Sequence, residues 1–174
     1  TKWNLYEQNL ISEHHIRYGG YGGIGYYHVS DKFIALFSHF ISCGTYEGIH
    51  ILDGLMTNES DIRPDTIHGD TQAQSYPVFA LAHLLGIQLM PRIRGIQDLK
   101  FHRPEAGPNV YKNIAALFSD VIDWRLIELH LPAMLRVAVS IKTGKITPSA
   151  ILRRLGTYSR KNKLYFAFVE LGKV

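Results

Sequence analysis

The residue with the clearest potential for chemistry is Asp70, in the stretch HGDTQAQSYPVFALAHLLGIQLMPRIRG, between a short apolar run and an amphipathic one. An aspartate at such a junction often serves only as a cap for the following helix. If Asp70 takes part in catalysis, we expect phosphoryl transfer, in which carboxylates hold two Mg²⁺ ions about 4 Å apart. One carboxylate is not enough, because a hard cation needs several oxygen ligands.

Further aspartates are available to complete such a site: Asp31, Asp53, Asp61 and Asp65. Their spacing does not force any of them to converge with Asp70. We expect Asp53 to lie in a helix, Asp61 in a turn and Asp65 on the strand face opposite to Asp70. The residues alone therefore leave the carboxylate site incomplete.

His68 is expected on the same strand face as Asp70, because side chains of an extended segment alternate between two faces. A histidine beside a carboxylate suits either a catalytic or a structural role, and both remain open. Basic residues follow the next apolar run: Arg92, Arg94, Lys100, His102 and Arg103. Such cations near a strand-end acid suit binding of a phosphate backbone, and a solvated surface is the alternative.

The run GYGGIG, from Gly20 to Gly25, has the G-x-G-x-x-G spacing of dinucleotide-binding loops. Such a loop needs a helix after it and an acid about 20 residues further on. Here YYHVSDKF favours a strand and position 45 is Thr, so we expect a glycine hairpin instead. The nine histidines show no compact metal-ligand spacing, and His83, inside an apolar helix, is expected to be a hydrogen-bonded packing residue.

The elements that must position these residues follow from hydrophobic periodicity. The segment RYGGYGGIGYYHVSDKFIALFSHFISCG predicts a glycine-rich turn with a strand, a turn and a strand. In TYEGIHILDGLMTN, apolar residues recur at the helix period: Tyr46, Ile49, Leu52 and Met56. Thr45 is a candidate cap for the start of this helix and Asn58 for its end.

A strand–helix–strand unit is predicted next. Residues 65–70 are expected to be extended, and Ser75 to cap a helix with Pro77 in its first turn and Gly86 as its stop. The buried stripe of this helix is predicted to be Val78, Phe79, Leu81, Ala82 and Leu85. The run IQLMPRI is the following strand, broken by its proline.

Such a unit implies parallel pairing of its two strands. Ligands then meet the carboxyl ends of the strands. Asp70 follows that end of the first strand, and Arg92 and Arg94 lie near that end of the second. The acid is therefore expected where a functional group would be exposed.

The rest of the chain is predicted to be mostly helical. The segment PAMLRVAVSIKTG begins with Pro132 in its first turn and ends at Gly144. A second helix has Pro148 in its first turn and stops at Gly156. A third begins at Ser159.

Composition limits the class of protein. The 174 residues are 46% hydrophobic and 20% charged, which is typical of one globular domain. No run approaches the roughly 18 apolar residues of a membrane span, and no basic-then-apolar segment predicts secretion. The single cysteine, Cys43, excludes an internal disulfide and a Cys-rich zinc site, and favours the reducing cytoplasm. The net charge of +4 favours an acidic partner such as nucleic acid.

The two ends of the chain suggest its context. The sequence opens on Thr1 rather than on a methionine, and the apolar pattern of LYFAFVELGKV is still running where the sequence stops. We therefore expect this chain to be a segment of a larger protein.

Several motifs resemble a single family. HGDTQAQSYPVFALAHLLGIQLMPRIRGIQDLKFHRP strongly resembles the transposase domain of the Tn3-type replicative transposons of bacteria. YGGYGGIGYYHVSD, ISCGTYEGIHILDGLM and LRRLGTYSRKNKLYFAFVELGKV are similar to the same family. The resemblance runs collinearly over nearly the whole chain, and its central motif is long and specific.

The resemblance implies an α/β fold, with a ribonuclease H-like mixed sheet and flanking helices followed by a mostly helical C-terminal part. Residues 1–121 would form a partial catalytic core, and residues 122–174 a helical extension of the same domain, cut short at Val174. The family uses an Asp-Asp-Glu metal triad, and Asp70 matches its second acid. The first acid would lie just upstream of Thr1, and the closing Glu beyond Val174.

The implied function is DNA transposition, in which metal-dependent cleavage at transposon ends is followed by transfer of the freed 3′ hydroxyl to target DNA. Asp70 would be a catalytic residue and a ligand in a site that holds two Mg²⁺ or Mn²⁺ ions when complete. Arg92, Arg94, Lys100 and Arg103 would bind DNA. The partners would be transposon-end and target DNA rather than a membrane, and the full-length protein would be a homo-oligomer in the bacterial cytoplasm, acting at the nucleoid.

The segment alone is expected to be inactive and to bind metal weakly, because two of the three metal ligands would be missing. Two alternatives remain open. One is a non-catalytic nucleic-acid-binding module or transposase relic, and the other is a nucleotide-binding domain that rests only on the glycines.

Overall fold

A computed structural model of the protein describes residues 2–16, 19–58, 61–107, 112–157 and 159–174. Within these ranges the chain forms eight β-strands and five α-helices, joined by 3-10 turns and loops. Antiparallel strands come first, then a strand–helix–strand unit, then two short parallel strands and three helices. This arrangement confirms the predicted α/β class.

Four strands form an antiparallel sheet: β1 Lys2–Asn4, β2 Glu13–His15, β3 Gly20–Val29 and β4 Ala35–Ser42. Strand β3 pairs with the three others. Its glycines allow β1 to approach closely, because a Cβ at Gly22 would collide with the main-chain oxygen of Trp3. The turn between β3 and β4 lies at residues 30–34. The predicted strand–turn–strand is confirmed. GYGGIG is not itself a turn, as the glycine-hairpin prediction had it, but the first part of β3, which pairs antiparallel with β2. Because β4 rather than a helix follows β3, the structure also argues against a dinucleotide-binding loop.

The segment after β4 is a broken helix. A 3-10 turn, Glu47–His50, is followed by the short α1, Asp53–Met56. Gly48 packs against the main-chain oxygen of Gln72, and Gly54 against an aromatic ring of β4, where neither position has room for a Cβ. The single continuous helix predicted here is wrong, because these two glycines weaken the helix and serve close packing instead.

The next elements form a strand–helix–strand unit: β5 Thr66–Gly69, α2 Tyr76–Leu85 and β6 Gln88–Pro91. The two strands pair in parallel, with Ile67 opposite Leu89, so the predicted unit is confirmed. Gly86 has a φ of 79° and ends α2, also as predicted. Ser75 precedes α2, but its hydroxyl makes no capping hydrogen bond.

Two short strands, β7 Phe101–Arg103 and β8 Phe118–Val121, were not predicted. They pair in parallel, and the rings of Phe101 and Phe118 lie 5.8 Å apart. Their pairing spans a long connection, so hydrophobic periodicity within either segment does not reveal it.

Three helices close the chain: α3 Trp124–Lys142, α4 Pro148–Gly156 and α5 Lys163–Leu171. Helix α3 begins well before the predicted start, where the Asp123 carboxylate accepts the N–H of Leu126 at 3.0 Å. Pro132, predicted to be in the first turn, lies inside the helix. Gly144 has a positive φ just past the end of α3, as predicted. Helix α5 begins after its cap, Asn162, later than predicted.

Helix α2 lies at the centre of the main core. Its buried residues are Val78, Ala80, Leu81, Ala82 and Leu85. Met134 of α3 and Phe168 of α5 are fully buried in the same core. His83 is exposed, so the prediction that it is a packing residue is wrong.

A smaller core of Ile24, Ile41 and Cys43 lies in the antiparallel sheet. None of the helices in the described ranges is long and apolar enough to cross a membrane.

Candidate functional site

Asp70 immediately follows β5 and begins the 3-10 turn Thr71–Ala73. Its Oδ1 accepts a hydrogen bond from the main-chain N–H of Gln72 at 2.9 Å, so the carboxylate caps this turn rather than α2. The side chain is exposed, and none of the described residues donates a hydrogen bond to its Oδ2. One carboxylate oxygen is therefore held, and the other is open to a ligand.

Asp70 lines a groove of about 840 Å³ between β3, the 3-10 turn at residues 47–50 and β5. We call it the Asp70 groove. Its lining includes these polar residues: Tyr26, Asp31, Glu47, Arg63, Asp65, His68 and Asp70. The sheet residues and the loop residues of this groove are far apart in sequence, so only the folded chain brings them together.

Tyr26 and Glu47 are two groove residues that the sequence analysis missed. Tyr26 is largely buried, and burial followed by the negative charges of Asp70 and Glu47 raises the pKa of its hydroxyl. The two carboxylates therefore act on the same tyrosine from different elements. The sequence contains no motif that would have identified either residue.

The loop that carries Asp70 packs against the loop before α1. The Tyr46 hydroxyl donates a hydrogen bond to the main-chain oxygen of Gln72. Gly48 contacts the same oxygen. Burial, followed by the charge of Asp70, raises the pKa of Tyr46, so its hydroxyl keeps its proton at neutral pH.

Asp53 is not part of the groove. Its Oδ2 lies 3.1 Å from Nδ1 of His50, and its Oδ1 accepts the main-chain N–H of Ser149 at 2.7 Å. Burial would raise the pKa of Asp53, but the hydrogen bonds from His50 and Ser149 outweigh it and hold the pKa below its ordinary value. Asp53 thus joins α1 to the start of α4.

The other candidate aspartates are divided between the groove and the surface. Asp31 and Asp65 line the Asp70 groove, and Asp61 is exposed in a bend. Among the residues that the structure describes, no group of three or more His, Cys, Asp or Glu side chains is arranged to hold a metal ion. Asp70 supplies a hard oxygen ligand of the kind that Mg²⁺ prefers, but only one of the several that the ion needs.

Two of the four basic residues predicted to bind DNA lie beside Asp70. The main-chain N–H of Arg92 donates to the oxygen of Gly69 at 2.9 Å, and that of Arg94 donates to Oε1 of Gln74 at 2.9 Å. Both arginine side chains are exposed. Their backbone is thus fixed to the two ends of the Asp70 loop, and their charges face solvent.

The other two basic residues bond to the backbone around β8. Lys100 Nζ donates to the oxygen of Ala116 at 3.4 Å. Arg103 donates to the oxygens of Ser119 at 3.3 Å and Gly107 at 3.4 Å. Their side chains therefore help to hold the β7–β8 pair.

His68 is exposed and lines the Asp70 groove, as expected for a side chain on the open face of β5. Other histidines are collected under the sheet: the rings of His28 and His39 lie 5.4 Å and 5.6 Å from that of Tyr26, and His39 lies 5.7 Å from His50. Burial lowers the pKa of His28 and of His39, so both are neutral at pH 7. This cluster packs the sheet against the loop before α1.

Comparison with known proteins adds an independent line of argument. The sequence matches the family model described as the Tn3 transposase DDE domain over residues 1–174. It is 36% identical over 153 residues to the transposase for transposon Tn501 of Pseudomonas aeruginosa, covering 88% of this chain. It is 36% identical over 159 residues to the transposase for Tn21 of Escherichia coli, covering 91% of this chain. The transposase for Tn1546 of Enterococcus faecium is 32% identical over 167 residues, covering 95% of this chain.

The matched regions are a small part of these relatives. They cover 15% of the Tn501 protein, 16% of the Tn21 protein and 17% of the Tn1546 protein. The chain therefore spans about a sixth of the length of these proteins.

Proposed function

The chain belongs to the Tn3 transposase DDE domain family, and from this premise we propose that it is part of the catalytic domain of a DNA transposase. The proposed reaction is metal-dependent cleavage of DNA at transposon ends, followed by transfer of the freed 3′ hydroxyl to target DNA. The observation that carries the proposal is the position of Asp70: an exposed acid directly after β5, in a groove, with one oxygen open.

Asp70 is proposed as one ligand of a divalent cation, Mg²⁺ or Mn²⁺. A carboxylate at the end of a parallel strand suits this role, because ligands of open α/β sheets collect at that edge. The described residues hold no complete ligand set, so the remaining carboxylates would come from other parts of the protein. When bound, such cations activate the attacking oxygen and stabilise the leaving oxygen of the phosphodiester.

Arg92 and Arg94 are proposed to hold the DNA backbone next to Asp70. Their side chains are exposed, and their main-chain N–H groups are bonded to the loop that Asp70 begins. Cations in this position neutralise phosphates and orient the strand without reading its sequence.

The proposed fold is ribonuclease H-like. What supports it is the order of elements: an antiparallel β1–β3–β4 sheet is followed by the parallel unit β5–α2–β6, with Asp70 directly after β5. The two sheets are separate within the described residues. The proposed fold would require these two sheets to be parts of one mixed sheet.

Replacing Asp70 with alanine in the intact transposase tests the function. Asp70→Ala should abolish strand cleavage of transposon-end DNA, because the cation loses one of the oxygen ligands that it needs, while leaving end binding largely unchanged. The assay is cleavage of a labelled end in Mg²⁺ and in Mn²⁺, with binding followed by gel shift.

Asp120→Ala is the matched control, because Asp120 is an exposed aspartate on another parallel strand, β8. It should cleave like the wild type. Normal cleavage by the Asp70→Ala protein would refute the assignment. A wild-type protein that binds ends but never cleaves them would favour the non-catalytic DNA-binding alternative.

A further inference from the structure

The orientation of the Asp70 carboxylate depends on one main-chain group. Asp70 is exposed, and its Oδ1 has a single donor among the described residues, the N–H of Gln72 at 2.9 Å. An exposed carboxylate that accepts a single hydrogen bond is held in place only if the donor of that bond is itself fixed. The position of Gln72 therefore decides where the open Oδ2 points.

The main chain at Gln72 is held on its other side by the peptide that joins it to Ala73. The N–H of Ala73 donates to the main-chain oxygen of Asp70 at 3.2 Å. The oxygen of the same peptide accepts the hydroxyl of Tyr46. Hydrogen bonds at the two ends of one peptide polarise and strengthen each other. Tyr46 is thus linked to Asp70 through one peptide unit.

Close packing fixes the same peptide. A Cβ at Gly48 would collide with the oxygen of Gln72, so the turn at residues 47–50 lies directly on the turn that Asp70 caps. Just before Asp70, a Cβ at Gly69 would lie 2.7 Å from Ile51 Cδ1 and 3.0 Å from Ala73 Cβ. The loop that carries Asp70 is therefore confined by residues that precede α1.

We propose that Tyr46 is a positioning residue for Asp70, which acts by fixing the Gln72 main chain that in turn holds the carboxylate. The proposal rests on the proposed function, in which Asp70 binds a divalent cation. Tyr46 is 44% exposed and is not part of the main core, so its hydroxyl bond, rather than core packing, is what links it to the loop. Removing the hydroxyl alone should loosen Asp70 and leave the fold intact.

The test compares Tyr46→Phe with Tyr21→Phe in the intact transposase. Tyr21 is the matched control, because its hydroxyl also makes one exposed hydrogen bond, to Glu7 at 3.1 Å. Tyr46→Phe should raise the half-saturating Mg²⁺ concentration for end cleavage by about threefold to tenfold, the effect of one lost hydrogen bond. Cleavage at saturating Mg²⁺ and the affinity for end DNA should stay near wild type.

Hydrogen–deuterium exchange gives a second readout that does not depend on catalysis. Without metal, peptides covering residues 68–75 should exchange faster in Tyr46→Phe than in the wild type. In Tyr21→Phe their exchange should match the wild type. Gly48→Ala, which pushes the two turns apart, should raise the half-saturating Mg²⁺ concentration and speed exchange, as Tyr46→Phe does. Thermal melting of each variant shows that it is folded.

The outcomes separate this inference from the proposed function. If Asp70→Ala is inactive but Tyr46→Phe matches Tyr21→Phe in metal dependence and exchange, Tyr46 does not position Asp70. If Asp70→Ala cleaves normally, the metal role of Asp70 fails first. If Tyr46→Phe loses DNA affinity with unchanged metal dependence, Tyr46 acts on DNA instead, which also overturns the proposal.

Discussion

At the scale of single residues, some side chains of the candidate site are hydrogen-bonded within the protein, and others are free to bind a ligand. Asp70 is held through one oxygen, and Asp53 through both. Among the basic residues the same distinction holds: Lys100 and Arg103 bond to backbone oxygens near β8, while Arg92 and Arg94 are exposed beside Asp70. In the proposed function, the open oxygen of Asp70 is available to a cation, and Arg92 and Arg94 are available to DNA phosphates.

This distinction predicts how charge removal changes DNA affinity. Arg92→Gln with Arg94→Gln in the intact transposase should weaken binding to DNA of any sequence, because each arginine neutralises a phosphate. The slope of log K against log salt should fall by about 1 per arginine removed. Fluorescence anisotropy over a range of salt concentrations measures both effects.

Arg136→Gln is the control, since Arg136 is exposed on α3 and is not bonded to the loop that carries Asp70, as Arg92 and Arg94 are. An unchanged salt slope in the double variant would remove Arg92 and Arg94 from the interface.

The sequence allowed some of these residues to be selected and not others. Asp70 was selected because a strand–helix junction places an acid at the edge where ligands of α/β sheets bind, and because it matches the second acid of the family that the sequence resembles. Tyr46 and Glu47 were not found, because they reach the site through a tertiary contact between two turns. Such a contact leaves no periodicity in either segment, and only Gly48 in the first turn hints at close packing.

At the scale of elements, a proline explains why the predicted start of α3 differs from the observed one. Proline is favoured in a first turn, so Pro132 predicts a helix start, yet α3 begins earlier at a cap formed by Asp123. The proline is exposed, so water can satisfy the carbonyl that it leaves without a donor. Tertiary packing of the helix outweighs the cost of its proline.

Pro132→Ala should therefore stabilise the chain. The alanine restores a helical N–H and removes the clash with the preceding turn, and we expect the free energy of unfolding to rise by about 1–3 kcal/mol. Urea denaturation followed by circular dichroism measures the change.

Pro148→Ala is the contrasting control, because Pro148 is buried in the first turn of α4, where its missing N–H has no cost. It should lower stability through lost packing. A Pro132→Ala protein no more stable than the wild type would show that α3 already accommodates its proline without strain.

At the scale of the whole molecule, two regions differ in how well the sequence predicts them. The unit β5–α2–β6 was predicted because its strands, helix and stop signals are all local. The pairing of β7 with β8 was not, because it joins segments separated by a long connection. Helix α2 lies at the centre of the main core, with α3 and α5 packed around it. The carboxyl end of β5, which leads into α2, is therefore attached to a well-buried element.

The incomplete set of metal ligands predicts the behaviour of this chain by itself. Since its described residues hold no group of three metal ligands, the purified 174-residue chain should not nick transposon-end DNA in Mg²⁺ or Mn²⁺. It should bind DNA weakly and with strong salt dependence. Plasmid nicking with the intact transposase as a positive control measures this. Specific nicking by the chain alone that is lost on Asp70→Ala would show that the ligand set is complete without the rest of the protein.

Cys43 offers a way to follow opening of the antiparallel sheet. It is the one cysteine of the chain, it lies in the small core between β3 and the end of β4, and burial raises the pKa of its thiol. Burial of Cys43 and the raised pKa of its thiol should slow its reaction with a maleimide, because the thiolate is the reactive form, and the rate should rise when this small core opens. The rate of maleimide labelling of the purified chain therefore reports opening of that sheet, without an engineered cysteine.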